Sequence, residues 1–104
     1  MKLAAEIARL GERVFGVDRA ETAPELRRAA AARAEFVTGL SAATPELPAE
    51  WQKYVDKVAL HAYKVTDEDV QALRRAGHSE DAIFEVTVAT AVGASFARAR
   101  KALD

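Results

Sequence analysis

Trp51, Val55, Val58, Ala62 and Val65 recur at steps of four, three, four and three, the interval at which one side of an α-helix comes round again. That stripe holds the only tryptophan of the chain and predicts a core helix from about Pro48 to Lys64. No segment of useful length alternates as a strand would, and no internal repeat is strong enough to use. The expected fold is therefore all-α.

The other helices follow from the same spacing and from their stops. Leu3, Ile7, Leu10 and Val14 form an amphipathic stripe over Lys2 to Phe15, and Gly16 to Glu21 is a break. Thr22-Ala23-Pro24-Glu25 reads as a capping box with proline in the first turn, where its missing N–H costs nothing. The helix it starts runs to about Thr38 and is stopped by Gly39. Its middle, RRAAAARAEF, is helix-prone but weakly apolar, which predicts that it lies across a partner surface. Ser41 to Pro48 holds two prolines and reads as a linker between an N-terminal arm, 1–47, and a core, 48–104.

After the tryptophan helix, Thr66-Asp67-Glu68-Asp69 is a second capping sequence, for a short helix with Val70, Leu73 and Ala76 inward and Gly77 as its stop. Ser79-Glu80-Asp81 caps the last helix, which ends in Arg98, Arg100 and Lys101, bases where the helix dipole favours them. On that helix Ile83, Val86 and Thr90 share one side, while Ala89, Gly93 and Ala97 mark a tight helix crossing, within the chain or between chains. The whole predicts one domain, a five-helix bundle whose first two helices pack over the last three or over a neighbouring subunit, of a size at which a second subunit often supplies missing burial.

Composition narrows the chemistry. In 104 residues there is no cysteine, which excludes disulfides, thiol catalysis and cysteine-ligated metal centres. Two histidines are few for an all-histidine metal site, and no cofactor is expected. Fifteen basic and sixteen acidic residues give a net charge of −1, with no overall pull toward nucleic acid or an anionic membrane. No run approaches the length of a bilayer crossing, and Glu6, Arg9, Glu12 and Arg13 interrupt any signal-peptide apolar region, so the expected location is the cytoplasm.

VDKVALHAY with His61, the phrase RRAGHSEDAIFEVTVATAV with its A-G-x-S-x-x-x-I-F-E pattern, and the small-residue helix that follows span about Ala49 to Leu103. In their order they resemble the carboxymuconolactone decarboxylase and alkylhydroperoxidase-D-like family. The resemblance implies a core made by the last three helices and a homo-oligomer, a trimer or hexamer. In the family's peroxidase branch two cysteines precede the histidine; counted back from His61, Tyr54 and Lys57 stand at those positions. The branch also uses an upstream glutamate, for which Glu46 and Glu50 offer no matching spacing. A phenol and an ammonium do not replace a thiolate and its resolving thiol. The resemblance thus implies a cysteine-free member, acting as an oligomeric small-molecule-binding or accessory protein.

Candidate site residues follow from position. Tyr54, Lys57 and His61 share one helical face. As an enzyme the chain would use His61 as general acid or base on a small anionic substrate, with Tyr54 and Lys57 orienting it. The plainer alternative is a surface or interface histidine. Trp51 and Glu85 are candidate substrate contacts, Glu85 because the resemblance places its region beside the pocket; a core tryptophan and a surface glutamate are the alternatives. Asp56, Asp67, Glu68 and Asp69 suggest a cation site only weakly, since capping already accounts for three of them. His78 follows Gly77 in a turn between helices, where exposure is the natural expectation. A helix-turn-helix reading of DEDVQALRRAGHSEDAIFEV meets the objection that Glu80, Asp81 and Glu85 open the would-be recognition helix and repel phosphate.

Overall fold

The computed structural model describes residues 20–39 and 46–103. These form four α-helices, α1 (Pro24–Val37), α2 (Ala49–His61), α3 (Asp67–Arg75) and α4 (Glu80–Leu103), with a 3₁₀ turn at Ala62–Lys64 after α2. No strand occurs among the described residues. The helix expected over Lys2 to Phe15 and most of the expected linker lie outside them.

The caps explain most boundaries. Thr66 accepts the Asp69 N–H while Asp69 Oδ2 accepts the Thr66 N–H at 2.8 Å, a reciprocal capping box. Thr66→Ala is expected to lower the unfolding free energy by about 1 kcal/mol in a urea titration. Ser79 Oγ accepts the Ala82 N–H at 3.1 Å and starts α4. Gly39, at φ 84°, and Gly77, at φ 100°, take the left-handed conformation that ends α1 and α3. Thr22 departs from expectation. α1 begins after Ala23 with no side-chain cap and with proline in its first turn, because the Thr22 hydroxyl is drawn to Glu85, 63 residues further on.

Three of the helices run in the same direction. Along α4, Glu85 meets Thr22, Gly93 meets Ala31 and Lys101 meets Thr38, so α1 and α4 ascend together. Tyr54 bonds Thr87 and Ala59 bonds Arg98, so α2 ascends with them. The 3₁₀ turn and α3 form the return between α2 and α4, with α3 antiparallel to α2: Asp69 lies beside Lys57, and Ala72 and Leu73 face the cleft toward Glu50.

Parallel packing puts three helix N-termini at one end and three C-termini at the other, and α4 supplies groups of the matching charge to its neighbours. Arg98 donates to the Ala59 carbonyl at 2.7 Å and Lys101 to the Thr38 carbonyl, placing cations on the C-terminal turns of α2 and α1. At the opposite end the Glu85 carboxylate accepts the Glu21 and Thr22 N–H groups ahead of α1, each at 2.8 Å. Each charge sits where a helix dipole favours it.

The main core joins Ala30 of α1, Trp51, Tyr54 and Val55 of α2, Leu73 of α3, and Ile83 and Val86 of α4. A smaller cluster of Ala34, Ala59 and Ala94 fills the C-terminal half. α1 packs over the chain's own helices, one of the two surfaces the sequence left open: its alanines press on α2 and α4, because alanine permits close approach at little volume. The row Ala89, Gly93 and Ala97 is buried in this crossing, within the chain. Ile83, Val86 and Thr90 are inward as expected, whereas Ala62 and Ala76 are exposed, Ala62 because α2 has already ended and Ala76 because it follows the last turn of α3.

α4 also corrects the expectation about bilayer crossing. By length and composition it meets that requirement, since residues 86–97 carry no charge. Half its sides nevertheless face α1 and α2, where Val86, Ala89, Ala94 and Ala97 are buried.

Candidate functional site

α3 lies across the N-terminal two-thirds of α2 and leaves a cleft of about 230 Å³ lined by Glu50, Lys53, Tyr54, Lys57, Asp69, Ala72 and Leu73. The lining is largely apolar at the floor, where Leu73 and Tyr54 belong to the core, and charged at the rim. The volume is below the roughly 300 Å³ at which drug-sized ligand sites begin, so it suits a small molecule.

Two of the three residues expected to act together stand in this cleft. The Tyr54 ring is buried and its hydroxyl lies 2.6 Å from the Thr87 hydroxyl, which itself donates to the Ile83 carbonyl at 2.7 Å. Lys57 Nζ donates to Asp69 Oδ2 at 2.7 Å. That bond, with the Thr66 N–H on the same carboxylate, holds Asp69 below the ordinary carboxylate range. Lys53 is exposed at the rim and has no bonded partner among the described residues.

His61 is not brought to them. It is the last residue of α2, its backbone leaves helical geometry (φ −144°, ψ 55°), and its exposed ring lies 6.0 Å from that of Tyr63. The reason is length: α3 spans nine residues, about 13 Å of helix, and begins beside Lys57, so the face shared by Tyr54, Lys57 and His61 is covered only over its first part. His61 is therefore out of reach of a ligand in the cleft.

Trp51 is likewise unavailable to a ligand. It is 1% exposed, and its ring packs edge-on to Tyr54 at 6.5 Å and against His78 at 4.4 Å. His78, expected to be exposed in its turn, is half-buried there, with Nε2 3.3 Å from a Glu50 carboxylate oxygen.

Glu85 is neither a pocket residue nor a plain surface glutamate. Besides the two backbone groups it accepts the Thr22 hydroxyl at 2.6 Å, and it lies 3.9 Å from Arg27, whose side chain is buried and donates to the Thr22 carbonyl and hydroxyl. Burial alone would push the Glu85 carboxyl up, but the hydrogen bonds from Thr22 and Glu21 and the Arg27 charge outweigh it and hold the carboxyl below the ordinary range. Arg27 was not foreseen. Its signal in the sequence was an arginine among the alanines of α1, indistinguishable there from a solvated one.

Of the four carboxylates that suggest a cation site, Asp56, Glu68 and Asp69 are bonded elsewhere. Asp56 makes a two-pronged pair with Arg33, at 2.7 and 2.9 Å, and Asp69 serves Lys57 and the α3 cap. No group of three metal-ligating side chains occurs among the described residues. On the helix–turn–helix segment, Arg74 is paired with Glu80 and Arg75 with Glu68, and the acids at the start of α4 remain the leading charges. Neither protein-family models, nor curated proteins, nor solved structures yield a match to this chain.

Proposed function

We propose that this chain works by binding, as an oligomeric small-molecule-binding or accessory protein of the cysteine-free, carboxymuconolactone-decarboxylase-like type, without thiol peroxidase activity. The observation that carries this reading is the division of the expected catalytic group: Tyr54 and Lys57 stand in the cleft with their polar atoms committed to Thr87 and Asp69, while His61 lies outside it. Such a cleft holds a ligand away from the histidine that the shared helical face would have supplied as base. The apolar floor and the Lys53 ammonium at the rim fit a small, mostly apolar molecule bearing one anionic group, such as an aromatic carboxylate.

Titrating the protein with benzoate is expected to shift the amide resonances of Lys53, Ala72 and Leu73, with a dissociation constant of about 1 mM, given so small a contact. Ala72 is exposed at the cleft wall, so Ala72→Phe fills the space without entering the core and is expected to abolish those shifts. Unchanged shifts in Ala72→Phe would remove the cleft as the binding site.

A further inference from the structure

The outward side of α4 is unusual for a solvated helix. Phe84, Val88, Ala91, Ser95 and Arg98 succeed one another at steps of four, three, four and three, opposite the residues that α4 buries against α1 and α2. Phe84 is 68% exposed, Ala91 and Ser95 are exposed, and Val88 is half-exposed. A helix side facing water normally carries charge; this one has none between Glu85 and Arg98.

From the charges that bound this face we infer that it is covered by the same face of a second copy of the chain, laid antiparallel across a two-fold axis at Ala91. Acids and bases are segregated to its two ends. Asp81 has no bonded partner among the described residues. Arg98 and Lys101 bond neutral carbonyls, those of Ala59 and Thr38, so these bonds leave their charge uncompensated. Antiparallel pairing sets the acidic first turn of each α4 against the basic last turns of the other, whereas parallel pairing would set like against like. Centred on Ala91, the register places Phe84 opposite Arg98 of the second copy, an aromatic ring under a guanidinium. It also places the small side chains of Ala91 and Ser95 at the middle, where two helices must come closest.

This inference rests on the oligomeric reading above and gives it a face, a direction and an even subunit number. It is tested on the full chain by sedimentation equilibrium and by single cysteines, which the cysteine-free sequence makes unambiguous. The expected result is a dimer or another even-numbered assembly. Ala91→Cys then forms an intersubunit disulfide readily on mild oxidation while Tyr63→Cys, also at an exposed position but outside this face, does not. Ala91→Glu, at an exposed helical position, keeps the circular dichroism of the parent and raises the subunit dissociation constant about thirtyfold or more. An oligomer that survives Ala91→Glu and does not cross-link through Cys at 91 overturns the face and leaves the oligomeric reading standing, as does a trimer, which has no two-fold axis. A monomer overturns both.

Discussion

Gly93→Ala is expected to destabilise the protein by about 2 kcal/mol, and Gly93→Leu by more than about 4 kcal/mol, enough to leave little folded protein. A methyl group at Gly93 would stand 2.5 Å from the Ala31 carbonyl oxygen and 2.8 Å from its Cα. Both are backbone atoms, which no rotamer change can move aside. Restoring ordinary contact means backing α1 off α4 by roughly 1 Å, and interiors packed at crystalline density do not give that distance freely. Alanine's better helix propensity returns only about 1 kcal/mol. Urea titrations followed by Trp51 fluorescence measure the loss; an unchanged midpoint would mean that α1 does not hold its close seat on α4.

Glu85→Ala is expected to cost about 3 kcal/mol, since it deletes three hydrogen bonds to a carboxylate and the negative charge beside buried Arg27. Its dependence on pH has a definite sign. The Glu85 carboxyl is held below its ordinary value of 4.5 in the folded state, so the stability it contributes is fully present above that value and is lost as pH falls through the folded one. Denaturation curves of parent and Glu85→Ala should therefore converge in acid. Comparing the two cancels Glu35, whose carboxyl is pushed up by burial and which acts in the opposite direction. A gap that stays constant down to acid pH would show that the Glu85 charge does not stabilise the fold.

The residue pattern disclosed the four described helices, their stops and most of their caps, because those depend on neighbours within one or two turns. It disclosed the inward side of α4 for the same reason. It did not disclose direction: a stripe marks which side of a helix is buried, not whether its neighbour runs up or down, so the parallel trio was invisible. Thr22 shows the limit sharply. A threonine two residues before a proline satisfies the local rule for a cap, yet a carboxylate 63 residues away competes for the same hydroxyl and wins. Tyr54, Lys57 and His61 show it again at the candidate site. Their spacing put them on one face, but where α3 begins decides which part of that face becomes a cleft and which stays in water.

The shared direction of α1, α2 and α4 also bears on how the chain acquires its shape. Helices that run the same way cannot be closed by a tight turn, and the chief partner of α1 lies some sixty residues later, as the Thr22 to Glu85 bond records. Loop closure over that span must be met before α1 gains most of its burial, which slows folding relative to an up-and-down bundle of equal length. During synthesis α1 leaves the ribosome first of the four described helices, and the part of its alanine side that α2 does not cover waits until α4 has followed it out.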